Sequence, residues 1–199
     1  MNKINETYEE YLKRVSVYKE FGYDIEKERR YFFDKIKPLK GNILEVGTGK
    51  GHLTLELAKQ GYHFATVDIN KDAQAQAKRY LEYFNLEDKV NFYLENAESL
   101  SFPDNSFDAV ISLNTVHHLV NPFRVMDEIM RVLKGAGKIF LSEFSEKGLE
   151  IIEKVHQREG GSHHLHRAGL EGVHGYLAKK GFMTEALGSQ FQEILTASR

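Results

Sequence analysis

Apolar and polar positions alternate in blocks along most of this chain. Short apolar runs near 42–47, 63–68, 90–94, 107–113 and 137–143 have the length of buried strands. Between them, near 51–60, 71–84 and 121–134, apolar residues recur at helical spacing. In the last stretch Phe123, Met126, Ile129, Met130 and Leu133 share one face, behind an N-cap and first-turn proline at Asn121-Pro122. Leu170 to Lys180 gives a further helix stopping at Gly181. Two more strands follow at 182–187 and 191–197, with Gly188-Ser189 as the tight turn between them. Strands alternating with helices in this order predict an α/β protein with a parallel, doubly wound sheet. Such sheets take their ligands outside the carboxyl ends of the strands.

The first 36 residues precede this alternation and carry many aromatics. Tyr8, Tyr11, Val15 and Tyr18 fall at helical spacing, which predicts a helix packed on the sheet domain, and Pro38 closes the region. A length of 199 residues suits one domain with a sizeable core. Its expected parts are an amino-terminal helical lid (1–36), a core (37–144), an insertion (145–168), and a final helix with a strand pair (169–199).

Charge narrows the partners. There are 27 basic and 29 acidic side chains, a formal net charge of −2, which argues against a general nucleic-acid surface. Lys27-Glu28-Arg29-Arg30 reads as a solvated helix face. The chain has no cysteine, so disulfides and thiolate nucleophiles are excluded. No signal-peptide core or membrane-spanning run is present, and a cytoplasmic location is expected.

Ile43, Leu44 and Val46 form a short strand running into Gly47-Thr48-Gly49-Lys50-Gly51, and the next strand ends on Asp68. Glycines permit positive φ and close backbone approach, and the N–H groups opening the next helix favour an anionic group. An acid at the end of the second strand can accept ribose hydroxyl hydrogen bonds. A nucleoside-bearing ligand follows from this set. The dinucleotide pattern needs a glycine where His52 stands, and no Gly-Lys-Ser/Thr ending marks a P-loop. Glu45, two residues before the first glycine, would repel a pyrophosphate and suits a ligand with positive charge.

Here the chain resembles the class I S-adenosylmethionine-dependent methyltransferases, whose loop reads Glu/Asp-x-Gly-x-Gly-x-Gly. The stretch Asn96 to Ser112, then Val116-His117-His118-Leu119 and Arg131 to Gly137, match later motifs of the small-molecule members in the same order. The resemblance implies a Rossmann-like sheet of seven strands, mostly parallel with the last antiparallel, and helices on both faces. It implies that Gly47, Thr48 and Gly49 pass under the cofactor and that Glu45 orients its amino group. Asp68 would hold the ribose and Ile69 the adenine face. Asn96 would accept from the adenine amino group, with Ala97 and Glu98 beside it, and Leu113 and Asn114 would flank the methionine chain. The implied reaction is methyl transfer from S-adenosylmethionine to a small-molecule acceptor, releasing S-adenosylhomocysteine. Position 113–116 reads Leu-Asn-Thr-Val rather than the Asn/Asp-Pro-Pro-Tyr/Phe of amino-base enzymes, which argues against that chemistry. An RNA or protein methyltransferase, and a non-catalytic S-adenosylmethionine-binding module, are the alternatives.

Five of nine histidines fall between His156 and His174. With the insertion placed after the fifth strand, His163 and His164 are candidate general bases, and His156 a residue near the acceptor. A polar loop without specific chemistry is the plain alternative. A metal site using His156, His163, His164 or His166 with Glu153 or Glu159 has a spacing that matches no established motif, so no metal is expected. His117 or His118 could touch cofactor or acceptor, whereas His52 and His63 read as structural. Tyr18 and Tyr23 are expected to line the pocket beneath the lid, where a ring face can meet a sulfonium.

Overall fold

The structure is a computed structural model that describes residues 3–158 and 169–199. Two helices, α1 (Lys3–Glu20) and α2 (Ile25–Ile36), precede the sheet. Then come β1 (Ile43–Val46), α3 (His52–Lys59), β2 (Phe64–Asp68), α4 (Lys71–Phe84), β3 (Val90–Leu94) and β4 (Phe107–Leu113). After a 3₁₀ turn at Val116–His118 follow α5 (Pro122–Val132), β5 (Leu133–Phe144), α6 (Glu146–Arg158) and α7 (Leu170–Lys179). The chain closes on β6 (Met183–Gly188) and β7 (Gln192–Ser198).

The seven strands lie in the order β3-β2-β1-β4-β5-β7-β6. Only β7 runs against the rest, paired antiparallel to both β5 and β6. The strand order reverses between β1 and β4, so the loops leaving their carboxyl ends diverge and open a crevice.

Side-chain alternation on β1 explains why both sheet faces are covered. Leu44 and Val46 join Val125, Met126 and Ile129 of α5 and Leu170, Val173 and Leu177 of α7 in one core. Ile43 joins Phe32 and Phe33 of α2, Leu53 and Leu57 of α3, and Tyr80 and Leu81 of α4 in the other. A third cluster links Tyr18, Tyr23 and Ile25 to Ile151, Ile152 and Val155 of α6. Burial of such side chains contributes roughly 1.5–3 kcal/mol each before entropy is subtracted. On its outer side α1 rides on α4, with Tyr8 stacked on Tyr83 at 4.9 Å between ring centroids.

Several details differ from the sequence pattern. Helix α6 occupies much of the segment expected to be an insertion, and its apolar face packs on α1 and α2. β5 begins at Leu133 rather than near 137, with a register shift opposite Phe107/Ala109. A bulge of this kind lets an extended chain absorb Gly135-Ala136-Gly137 without leaving the sheet. Asn121 sits at the N-cap of α5, but its amide donates to the Glu98 carboxylate (3.0 and 3.1 Å) instead of capping the helix. The 27–30 cluster is not wholly solvated. Glu28 is buried and accepts from Ser189 Oγ at 2.5 Å, which ties α2 to the β6–β7 turn. Among the described residues, no helix is long and apolar enough to cross a membrane.

Candidate active site

At the carboxyl edge of β1, β2 and β4 lies a cavity of about 740 Å³, within the range of small-ligand sites. Its floor is the glycine loop. The Gly47 and Thr48 amides both donate to Val67 O (2.9 and 3.2 Å), pinning the loop to β2. Gly47 and Gly51 have positive φ and no room for a side chain: an added Cβ would lie 2.2 Å from Thr115 Oγ1 and 2.5 Å from Ala77 Cβ, respectively. Gly49 differs. Its φ is also positive, but nothing lies within 4 Å of an added Cβ, so its backbone faces open space on the cavity wall.

Asp68 ends β2 beside this loop. Its Oδ2 accepts from the Gly49 amide at 2.7 Å and its Oδ1 from the Asn70 amide at 2.8 Å. Both oxygens keep lone pairs for further donors. Ile69, next in sequence, is 73% exposed although apolar, as a platform for a flat ligand would be. Asn96, Ala97 and Glu98 border the same cavity, with Asn96 Oδ1 accepting from the Glu98 amide at 2.9 Å. Leu113 and Asn114 close the wall from β4.

Glu45 lies behind the glycine loop. It points to the α3 side of the sheet, is 1% exposed and is not on the cavity wall. Its Oε2 accepts from Thr54 Oγ1 (2.7 Å) and Thr66 Oγ1 (2.6 Å). Thr66 in turn meets Thr48 Oγ1 at 2.6 Å, and Gln74 Nε2 donates to that same Thr48 oxygen at 3.2 Å. The acid therefore anchors the glycine loop from behind, through a chain of hydroxyls. Parity along β1 decides this, since Glu45 lies on the face of Ile43 and beneath α3. Burial pushes its carboxyl up to about 7, against the two threonine hydrogen bonds, which pull it down.

The cavity roof comes from α1, α2 and α6. Tyr11, Arg14 and Tyr18 descend from α1, Arg29 from α2, and Ile152 and His156 from α6, with Tyr23 from the α1–α2 link. Arg14 Nη2 reaches His156 Nε2 at 3.5 Å, which brings α1 and α6 together over the site. Tyr18 and Tyr23 both border the cavity. Burial pushes the Tyr23 phenol up, so it stays protonated. His52 also borders the cavity, against the Tyr11 ring at 5.3 Å. Burial, then the positive charges of Arg29, Arg14 and Lys50, hold its imidazole well below the usual range. His163, His164 and His166 lie outside the described residues. Among the described residues, no group of His, Cys, Asp and Glu could hold a metal ion.

One pair escaped the sequence reading. At the end of β5, Glu143 is buried and accepts from the Val116 amide at 2.6 Å and meets His117 Nδ1 at 2.5 Å. His117 lines the cavity, as does its exposed neighbour His118. No local motif joins residues 26 positions apart; only the pairing of β4 with β5 does so.

Residues 44–141 match the sequence model of the family described as "Methyltransferase domain". This match takes in just under half of the chain and shows that its core resembles that domain. The "Ubiquinone/menaquinone biosynthesis C-methyltransferase UbiE" of Rickettsia bellii (strain OSU 85-389) is 35% identical over 132 residues, covering 63% of this chain and 53% of that protein. The chain thus spans about half the length of that curated relative. A solved SAM-dependent methyltransferase from Aquifex aeolicus superposes with a TM-score of 0.67 at 18% identity, covering 85% of this chain and 88% of that one. The [4+2]-cyclase SpnF superposes at 0.71 with 20% identity, covering 87% and 80%. These likenesses establish the Rossmann-like fold; a fold that also serves a cyclase leaves the reaction to be argued from the site.

The wall residues fit S-adenosylmethionine. Asn114 Oδ1 and Gln192 Oε1, both on residues of the wall, are buried and have no hydrogen-bond partner among the described residues. Orphaned acceptors are costly and suit a ligand bringing N–H donors, as an α-ammonium does. Asp68 offers lone pairs to ribose hydroxyls, and exposed Ile69 offers an apolar face to a purine.

Proposed function

We propose that this chain is a methyltransferase that moves the methyl group of S-adenosylmethionine to a small-molecule acceptor by direct displacement. The observation that carries this reading is the shared cavity. The glycine loop, Asp68 and Ile69 line the same space as Tyr11, Tyr18 and His156 from the roof. When bound, S-adenosylmethionine supplies a methyl group already attached to a good leaving sulfur. The protein then contributes proximity and alignment, which can remove about 7–11 kcal/mol of a barrier. Asp68, Asn114 and Gln192 would hold the cofactor, with Asn96, Ala97 and Glu98 at its base. A roofed cavity of this size favours a compact acceptor over a polymer strand. The printed name of the Rickettsia relative concerns C-methylation in quinone biosynthesis, so quinols are the first acceptors to try. His163 and His164 remain proposed as candidate general bases, and 1–36 as a lid.

The test is transfer of label from methyl-labelled S-adenosylmethionine into a fractionated cell extract. Label is expected in the small-molecule fraction. Label confined to RNA or protein would contradict the reading.

A further inference from the structure

Acids and cations are not mixed on the cavity wall. The carboxylates that line it among the described residues, Asp68, Glu95 and Glu98, all stand at or just after the carboxyl ends of β2 and β3. Each is engaged: Asp68 with the Gly49 and Asn70 amides, Glu95 with Ser101, and Glu98 with Asn121. On the roof the charge is positive. Arg29, half-buried on α2, lines the cavity, and its Nη1 donates to Tyr11 Oη at 3.0 Å. Among the described residues that is the only hydrogen bond of its guanidinium, and no carboxylate pairs with it. Burial pushes the Tyr23 phenol up, while Arg29 and the Gln192 amide pull it back, so both stand near its hydroxyl.

A partly desolvated guanidinium without a counter-charge is costly, and the cost falls when an anion arrives. The Tyr11 hydroxyl, having accepted from Arg29, keeps its own proton to donate. A guanidinium edge with a phenol beside it matches the single charge and two coplanar oxygens of a carboxylate. Near the same Tyr23 hydroxyl, Gln192 supplies one of the two orphaned acceptors that suit an ammonium.

We propose that Arg29 and Tyr11 form a carboxylate subsite of the cavity, filled by the amino-acid end of the cofactor or by an acid group on the acceptor. This rests on the methyltransferase reading above. The ammonium acceptor close by favours the first source. Selectivity follows from it: a ligand that keeps the nucleoside and the sulfur but lacks the carboxylate leaves Arg29 uncompensated, and binds more weakly.

Calorimetric titration of the whole protein with S-adenosylmethionine and with its decarboxylated form, which lacks only that group, tests this. The unmodified protein should bind the intact cofactor about 10- to 100-fold more tightly. Arg29→Gln should erase the preference, weakening the intact cofactor and leaving the decarboxylated one within about twofold. Arg29→Lys keeps the charge but not the fork and should retain only part of the preference. Tyr11→Phe should move the same way by about threefold. The acceptor source reads differently. Arg29→Gln then leaves cofactor affinity unchanged, and in the extract assay the labelled product that elutes with monocarboxylates from an anion exchanger falls about tenfold. No change in either measurement would overturn the subsite and leave the methyltransferase reading standing. Absence of S-adenosylmethionine binding to the unmodified protein would overturn both. If Arg29→Gln fails to fold, Arg29→Lys and the two-ligand comparison in the unmodified protein decide the question.

Discussion

The Asp68 carboxylate accepts a 2.7 Å hydrogen bond from the amide of Gly49, joining the end of β2 to the middle of the glycine loop. One contact thereby sets the shape of the loop and places an acid where a ribose would lie. Replacing Asp68 by Ala removes both functions. S-adenosylmethionine affinity should fall by about 2–3 kcal/mol, roughly 30- to 150-fold, with a smaller loss of stability. Parallel calorimetric titration and thermal melting separate the two effects.

Gly47 and Gly49 should fail differently. In Gly47→Ala the new methyl would lie 2.2 Å from Thr115 Oγ1 at a φ of +89°, so the fold itself should lose about 3 kcal/mol or more. In Gly49→Ala nothing obstructs the methyl, and only the positive φ is strained, at about 1–2 kcal/mol. That variant should stay folded and lose cofactor affinity, because its methyl stands in the space a ligand uses. Urea unfolding and cofactor titration of both variants check the contrast.

Glu45 makes stability depend on pH. Its carboxyl is raised from 4.5 to about 7, chiefly by burial, so the folded protein binds this proton more tightly than the unfolded chain. Stability linked to this group is therefore greatest below the unfolded value and falls as pH rises through about 7. The loss should approach 3 kcal/mol, an order-of-magnitude value from about 1.4 kcal/mol per unit. Glu45→Gln keeps an acceptor for Thr54 and Thr66 and should flatten that part of the profile. Urea midpoints measured at several pH values give the comparison.

The roof should respond to the ligand. Tyr18 and Tyr23 are buried between α1, α6 and the cavity, and each lines it. Tyr18→Ala and Tyr23→Ala should each weaken cofactor binding and turnover, and hydrogen exchange in α1 should slow when S-adenosylmethionine is added. Unchanged affinity and turnover in both variants would remove the lid from the account.

The strand–helix alternation and the glycine-loop pattern made the sheet legible, because burial on both faces leaves apolar runs of characteristic length. Asp68, Ile69 and Asn114 stood out in the sequence because Asp68 ends β2, while Ile69 and Asn114 each follow directly on a strand end. The place of Glu45 behind the loop was not legible because a sequence motif does not state which sheet face a residue takes; the parity of β1 does. Helix α6 and buried Glu28 were missed because their partners, Tyr18 and Ser189, lie far away in the chain. Glu143 was missed for the same reason, as its role exists only once β5 lies beside β4.

The central claim is that this cavity binds S-adenosylmethionine through Asp68 and the glycine loop. Calorimetric titration of the unmodified protein and of Asp68→Ala tests it most directly. The account predicts saturable binding at one site per chain, weakened at least about tenfold by the substitution. No measurable binding at millimolar ligand, or equal affinity in the two proteins, would contradict it.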